Sequence, residues 1–164
     1  MRLFFTNHRG QEYILEIVGP PAIIGIPMLH EDQNRLMGAA AVQPAVALVL
    51  SKPDLATFSQ RFPQLMHNVY QSMDHALRKV IRFTQALMIL SVDGRLAATL
   101  LYLGKLSTDA KNPDEFEMPI SQAELANWLG ASRGHLNRAL KRLQALGLIR
   151  VEGQTFTLLD HPGL

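Results

Sequence analysis

The stretch ISQAELANWLGASRGHLNRALKRL, residues 120–143, decides the fold of this chain. Ser121 and Glu124 form a Ser-x-x-Glu capping box, in which each side chain can accept a hydrogen bond from the other residue's backbone N–H, so a helix is predicted to begin at Ser121. Gly130 can adopt the left-handed backbone that a tight turn between two helices needs. Ser132 is a favourable N-cap for a second helix. The spacing is typical of a helix-turn-helix.

The second of these helices separates an apolar face from a polar, basic face. Its inner side is predicted to carry Leu136, Ala139, Leu140 and Leu143. Its outer side carries Arg133, Gly134, Asn137, Arg138 and Lys141. Arginine can donate two hydrogen bonds to guanine and asparagine can bridge adenine, whereas lysine and serine contact phosphates. The outer side therefore favours reading of a DNA major groove, and a helical pair used for protein contacts is the alternative.

The distribution of charge along the chain supports a DNA-binding role for this helix. The chain has 16 Lys+Arg and 14 Asp+Glu, a net charge of +2. Residues 119–164 contain five of the cations and three of the acids, so the whole excess lies in the last quarter. Four of those cations fall within residues 133–142. Such a cluster indicates an anionic partner, although a solvated helix face has the same composition.

The flanking segments complete a winged-helix pattern. An apolar helix is predicted over Leu96–Leu103, ending at Gly104, and residues 107–117 are predicted to form an exposed linking loop. After the helix pair, Leu148–Val151 and Gln154–Leu159 alternate around Glu152-Gly153 as a hairpin. Three helices followed by such a hairpin are the elements of a winged-helix domain.

A long helix with a heptad seam precedes this domain. Apolar residues recur at spacings of 4 and 3 from Phe62 onward, which predicts a dimer interface formed by Met66, Val69, Met73, Ala76, Val80, Phe83, Leu87 and Leu90. A second apolar row predicts a face buried against the chain's own β-rich part: Leu65, Tyr70, Leu77, Ile81, Thr84 and Met88. The alternative is a helix enclosed within one chain.

The N-terminal third is predicted to be antiparallel β-structure. Arg2–Thr6 and Gln11–Val18 form a hairpin around the polar stretch of residues 7–10. Further short strands are expected over Ala22–Ile26, Ala39–Gln43 and Val46–Leu50, and a short helix over Ser51–Phe58 with Ser51 as its N-cap. These strands would close only part of a barrel or sandwich.

Residues 120–143, with Gly147-Leu148-Ile149 after them, resemble the DNA-binding signature of the Crp/Fnr transcription regulators, and the likeness extends over nearly the whole chain. It implies an α+β fold with three parts. Residues 1–60 correspond to a shortened antiparallel β-roll of the cyclic-nucleotide-binding type, residues 61–91 to the dimerisation helix, and residues 92–164 to the winged helix-turn-helix. The implied activity is transcription regulation by a homodimer on a near-palindromic operator.

The resemblance also assigns roles to residues. In the family, positions matching Ser132, Arg133 and Arg138 contact the DNA backbone or base edges. The full predicted set is Ser121, Gln122, Ser132, Arg133, His135, Asn137, Arg138 and Lys141. After Arg133 the family's best-known members carry an acid that reads cytosine, whereas this chain has Gly134. A different operator is therefore expected, with His135 or Asn137 reading the bases.

The cyclic-nucleotide cassette of the family departs from its pattern here. Gly25 is followed by Ile26 where the family has an acid that holds the ribose hydroxyl, and Arg35 is followed by Leu36 where it has Ser or Thr. Isoleucine cannot accept that hydrogen bond, and an unpaired buried hydroxyl costs about 1–3 kcal/mol. We therefore expect no response to cyclic AMP, and the sequence names no other effector.

Composition excludes several other classes. Because the chain has no cysteine, disulfides, thiolate metal sites, iron–sulfur clusters and cysteine nucleophiles drop out. His67 and His75 are roughly 12 Å apart on one helix, too far to share an ion alone, so no metal or cofactor is predicted. No catalytic constellation indicates an enzyme, and no apolar run reaches the roughly 18 residues of a membrane span, so a cytoplasmic protein is expected.

The expected partners are double-stranded DNA and a second copy of the chain, with RNA polymerase as a further candidate implied by the resemblance. The alternative function is a small-molecule sensor or partner-binding module that pairs with full-length relatives and modulates them. Co-expression with such a relative separates the two hypotheses.

Overall fold

The computed structural model describes residues 1–25, 37–106 and 114–164. In chain order its elements are β1 Arg2–Thr6, β2 Glu12–Ile17, β3 Gly38–Ala40, α1 Lys52–Arg61, α2 Pro63–Ile89, α3 Val92–Leu106, β4 Glu115–Glu117, α4 Gln122–Trp128, α5 Arg133–Ala145, β5 Ile149–Glu152 and β6 Thr155–Leu158. Helices and two antiparallel sheets are combined, which confirms the α+β class.

The N-terminal sheet contains the predicted hairpin. Its strand order is β2-β1-β3, and β1 pairs antiparallel with both neighbours. The Asn7 side-chain oxygen accepts hydrogen bonds from the backbone N–H groups of Arg9 and Gln11, and Gly10 has a φ of +76°, which closes the turn. Ile14 and Ile17 of β2 are buried and belong to the same apolar core as the C-terminal helices.

The other predicted strands of this region are largely wrong. Residues 22–25 form no strand, the strand expected over Ala39–Gln43 shortens to β3, and Val46–Leu50 is irregular. Val46, Leu48 and Val49 are 90–99% exposed. An apolar run forms a strand only where a neighbour supplies hydrogen-bond partners, and no strand among the described residues lies beside this one.

Helix α1 begins where expected, because Ser51 and Asp54 form a complete capping box and Pro53 occupies the first turn. Helix α2 then runs for 27 residues, and Val69 is its one buried residue. The second apolar row is not buried against the β-rich part as predicted, since Tyr70, Leu77 and Met88 are 60–82% exposed. An ion pair between Glu16 and Lys79 joins the hairpin to this helix.

Helix α3 is longer than predicted at both ends. It begins at Val92, directly after the break at Ser91, and includes Gly94 and Gly104. The expectation of a loop over 107–117 is wrong at its C-terminal end, where Glu115–Glu117 forms β4 and pairs with β6. Phe116 is buried and stacks on Phe156, with ring centroids 5.9 Å apart, so its apolar burial outweighs the surrounding charges. Residues 107–113 lie outside the described residues.

The C-terminal core joins three helices to the second sheet, whose order is β4-β6-β5. Leu96, Leu100, Leu125 and Leu136 are completely buried between α3, α4 and α5. Trp128 is also buried and packs edge-on against Tyr102, whose hydroxyl donates to the Ile17 carbonyl at 2.7 Å. The arrangement fixes α4 and α5 on a scaffold of α3 and the hairpin β5–β6.

In the described residues, no helix is both long enough and apolar enough to cross a membrane.

Candidate nucleic-acid interface

Both helices of the predicted helix-turn-helix begin at serine caps. The Ser121 hydroxyl accepts from the Glu124 N–H at 3.3 Å, and the Glu124 carboxylate accepts from the Ser121 N–H at 2.9 Å. The Ser132 hydroxyl accepts from the His135 N–H at 3.3 Å and lies 2.8 Å from the His135 ring Nδ1. Gly130, between the helices, has a φ of +62°. The local signals in the sequence thus place both helix starts correctly.

Helix α5 presents two chemically distinct faces. Its apolar side is buried and consists of Leu136, Ala139, Leu140 and Leu143. Its opposite side is exposed and brings together Arg133, Gly134, His135, Asn137, Arg138 and Lys141. Ser132 is exposed at the same end of the helix. Six of the eight predicted DNA-contacting residues therefore share one surface, which we call the α5 face: Ser132, Arg133, His135, Asn137, Arg138 and Lys141.

The cations of the 133–142 cluster have different surroundings. The guanidinium of Arg142 forms an ion pair with Asp93 of α3. Within the described part of the chain, Arg133, Arg138 and Lys141 make no hydrogen bond or ion pair. Three positive charges on the α5 face are thus available to an external anion, whereas Arg142 connects the helix to its scaffold.

The two remaining predicted residues, Ser121 and Gln122, are exposed at the start of α4. Helix N-termini bind phosphates, because their backbone N–H groups and dipole favour negative charge. In this chain the same turn carries Glu124, whose side chain is 32% exposed. Partial burial raises the pKa of Glu124. The hydrogen bonds from Ser121 and the charge of Arg2 together lower it by a larger amount, so the pKa lies below the ordinary value.

Sequence reasoning missed one contact at this turn. Arg2 Nη1 lies 2.7 Å from Glu124 Oε1, and Arg2 Nη2 lies 2.8 Å from Glu12 Oε2. The first pair spans 122 positions of sequence and joins β1 to α4. No local pattern signals a pair so distant, because only the packing of the hairpin on α4 brings the residues together.

The end of α2 contacts the helix-turn-helix. Leu87 Cδ2 lies 3.3 Å from the point where a β-carbon on Gly130 would sit, so the turn passes close to the long helix. Arg95 Nη1 donates to the carbonyls of Leu87 and Leu90 at 3.3 and 3.2 Å. Arg95 therefore satisfies carbonyl groups that the helix end would leave unpaired.

The predicted seam lies on the surface of α2. Its residues Met66, Met73, Val80, Phe83, Leu87 and Leu90 are 40–61% exposed, Ala76 is partly buried and Val69 is buried within the chain. The structure therefore does not show the alternative arrangement, in which α2 is enclosed within its own chain. An apolar row of this length on a surface helix is typical of a protein–protein interface.

A cavity of about 250 Å³ lies in the N-terminal sheet, lined by Leu3, Ile24, Gly25, Met37, Gly38 and Ala39. None of these described lining residues is charged. Ile26, Arg35 and Leu36, on which the expectation about cyclic AMP rests, lie outside the described residues. Within the described ranges, no group of three His, Cys, Asp or Glu side chains is placed to hold a metal ion.

Known proteins are similar to this chain in sequence and in fold. Residues 94–164 match the Crp-like helix-turn-helix domain. The cAMP-activated global transcriptional regulator Vfr of Pseudomonas aeruginosa is 28% identical over 160 residues, which cover 95% of this chain and 75% of Vfr. The transcriptional activator protein FnrA of Stutzerimonas stutzeri is 25% identical over 165 residues, covering all of this chain and 67% of FnrA.

Residues 94–164 are thus a Crp-like helix-turn-helix domain, and the chain as a whole is similar to transcriptional regulators of the Crp/Fnr family. The structure of FixK2 from Bradyrhizobium japonicum superposes with a TM-score of 0.69 at 16% identity, over 99% of this chain and 79% of FixK2. That likeness confirms the fold. The helix-turn-helix match supports the predicted DNA-binding domain, and these relatives are transcriptional regulators rather than enzymes.

Proposed function

We propose that this protein acts as a homodimer that recognises a near-palindromic operator through the α5 face. The observation that supports this most directly is the set of three cations, Arg133, Arg138 and Lys141, which are exposed and have no partner in the described part of the chain. In this proposal Arg133, Arg138, His135 and Asn137 reach base edges or the backbone, while Ser121, Gln122, Ser132 and Lys141 contact phosphates.

The seam on α2 supplies the proposed dimer contact. Its exposed side chains repeat at heptad spacing, so two copies can pair along the helix and bury them. A two-fold dimer presents two α5 faces, which fits half-sites about 34 Å apart, one helical turn of DNA. In this proposal residues 1–60 are the remnant of a β-roll, residues 61–91 form the dimer contact and residues 92–164 bind DNA.

We also propose that cyclic AMP is not the effector, although Vfr is described as cAMP-activated. The proposal rests on Ile26 and Leu36 in place of the polar residues of the family cassette. Calorimetric titration of the dimer with cyclic AMP is expected to give no heat of binding. Micromolar binding contradicts the proposal.

The experiment for the main proposal is selection from a random duplex library by the purified protein without ligand. Retained DNA is sequenced after washing at two salt concentrations. We expect a two-fold symmetric motif that persists at the higher salt. Retention without a motif, lost steeply as salt rises, indicates phosphate contacts only and contradicts specific recognition.

A variant with Arg138→Ala and Lys141→Ala provides the control, since it removes charge from the α5 face without touching buried residues. It is expected to retain no motif. If the protein yields a motif only after co-expression with a full-length relative, the chain is instead a partner-binding module that modulates such relatives. RNA polymerase as a protein partner remains a prediction of the family resemblance.

A further inference from the structure

The connection between α2 and α3 is short and closely packed. Leu90 and Ser91 are the two residues between the end of α2 and the start of α3. The Gly94 N–H donates to the Ser91 hydroxyl at 3.3 Å, and a β-carbon on Gly94 would lie 3.4 Å from Leu90 Cβ. The first turn of α3 therefore packs directly against the end of the long helix.

Arg95, in this first turn of α3, caps the C-terminus of α2. Its Nη1 donates to the carbonyls of Leu87 and Leu90 at 3.3 and 3.2 Å. The last turn of α2 has no basic residue of its own, so Arg95 supplies the positive charge that interacts favourably with the negative end of the helix dipole. One side chain thus joins the end of the helix that carries the seam to the first helix of the winged-helix domain.

The guanidinium of Arg95 makes these contacts at a cost. Its Nε atom is buried and has no hydrogen-bond partner among the described residues. An unpaired buried N–H lowers stability, and such an exception in a folded protein calls for a functional explanation. The two carbonyl contacts indicate that the role of Arg95 is to hold α2 and α3 in one orientation.

Two further contacts connect this junction to the recognition helix. Leu87, whose carbonyl accepts from Arg95, also places its Cδ2 3.3 Å from the position of a β-carbon on Gly130, in the turn before α5. Asp93, two residues before Arg95, pairs with Arg142 of α5 at 2.9 Å. Helix α5 is therefore connected to both sides of the junction. A change in the angle between α2 and α3 would move the α5 face relative to the seam.

We propose that Arg95 is a positioning residue for DNA recognition, which sets the spacing of the two α5 faces in the dimer by fixing the angle between α2 and α3. The inference rests on the proposed function, in which two copies pair along the seam. One base pair inserted between the half-sites moves them about 3.4 Å apart and rotates them by about 34°. A rigid junction rejects such an operator. A loose junction accepts it, but must be ordered whenever DNA binds.

Three variants separate this role from a general effect on stability. Arg95→Met removes the charge and the donors and keeps a flexible, unbranched side chain. Arg95→Lys keeps the charge, and its ammonium group can donate to both carbonyls. Arg82→Met is the control, because Arg82 is exposed on α2 and lies outside both the junction and the seam. If Arg95→Met does not fold, Arg95→Gln takes its place.

Fluorescence anisotropy measures affinity for the operator obtained by selection, for the same operator with one or two base pairs inserted between the half-sites, and for a single half-site. In the unmodified protein, Arg95→Lys and Arg82→Met, each insertion is expected to weaken binding at least about tenfold. Arg95→Met is expected to bind the selected operator about tenfold more weakly and to lose less than about threefold per insertion, because its junction must be ordered at every spacing.

Affinity for the single half-site is expected to stay within about twofold in all variants, because one α5 face is sufficient for it. Equal weakening of Arg95→Met on every duplex, the single half-site included, overturns the inference, since it shows that Arg95 only stabilises the fold. An unchanged spacing preference in Arg95→Met also overturns it, and the proposed function then stands. The proposed function fails separately if the unmodified protein binds the operator no better than a scrambled duplex.

Discussion

Arg142 of helix α5 and Asp93 of helix α3 form a two-point ion pair, with Nε–Oδ2 at 2.9 Å and Nη2–Oδ1 at 3.0 Å. The planar guanidinium matches the carboxylate, a geometry that fixes orientation as well as distance. Asp93 lies in the first turn of α3, where a negative charge also interacts favourably with the helix dipole. The contact therefore joins α5 to the helix that follows α2, beside the apolar core that the two helices share.

Arg142→Ala is expected to lower the free energy of unfolding by about 0.5–1 kcal/mol, because the pair is well oriented but its arginine is largely exposed to solvent. Urea unfolding followed by circular dichroism measures the change. Asp93→Ala should cost a similar amount. A double variant no less stable than either single variant would show that the two residues act through one another.

Arg138→Ala is expected to weaken DNA binding and to leave the stability of the fold unchanged. It should weaken specific DNA binding by about 1–3 kcal/mol per contacted base pair, the range for loss of a bidentate base contact. Its stability should match that of the unmodified protein, since Arg138 is exposed and makes no hydrogen bond or ion pair within the described residues. Anisotropy on the selected operator, with Arg142→Ala as the matched arginine variant, tests the difference; equal affinity of Arg138→Ala and the unmodified protein removes Arg138 from the interface.

Gly134→Glu is expected to change the operator. A β-carbon at position 134 would meet only Ser132 Oγ, at 3.9 Å, so a side chain fits without rearrangement. Glutamate accepts a hydrogen bond from cytosine N4, and the variant should discriminate in favour of one C·G pair by about 1–3 kcal/mol. Selection with Gly134→Glu and Gly134→Ala in parallel measures the new preference. Identical motifs from both variants would show that position 134 does not face the bases.

Val80→Glu is expected to give monomers. Val80 is 61% exposed at the middle of the seam on α2, and pairing of two copies would bury an unpaired carboxylate there. Gln85→Glu is the control, because it adds the same charge at an exposed position of α2 outside the seam. Multi-angle light scattering gives the mass of each. A dimeric Val80→Glu protein would place the interface elsewhere.

Glu124 is expected to make stability depend on pH. Burial raises its pKa, and the Ser121 hydrogen bonds and Arg2 lower it by more, so the folded-state pKa lies below the ordinary value of 4.5. The stabilisation is therefore fully present above the ordinary pKa and is lost as the pH falls through the lower folded-state pKa. Urea unfolding from pH 7 to pH 3 should show the unmodified protein losing its advantage over Glu124→Gln. A constant difference would contradict this expectation.

Short-range signals in the sequence predicted the C-terminal half well. Local residue preferences predicted the helix starts and the turn at Ser121, Gly130 and Ser132. The helical spacing of the leucines in α5 predicted its buried face. Phe116 was misread because its neighbours are charged, and burial of one aromatic side chain decided the strand. Val46–Leu50 was misread because strand formation depends on a neighbour, which local pattern does not reveal. The Arg2–Glu124 ion pair could not be predicted for the same reason, because it forms only when the hairpin packs against α4.

Ile14 and Ile17 sit in one continuous apolar cluster with Leu96 and Leu100 of α3. A fragment that starts at residue 92 would therefore expose the patch that the hairpin covers, and would be less stable than the same residues in the whole chain. The hairpin and the winged helix are expected to unfold as one cooperative unit, despite being separated in sequence by the long helix. Evolution of either end is then constrained by the other, because a substitution in β2 changes the packing of the core that supports α5.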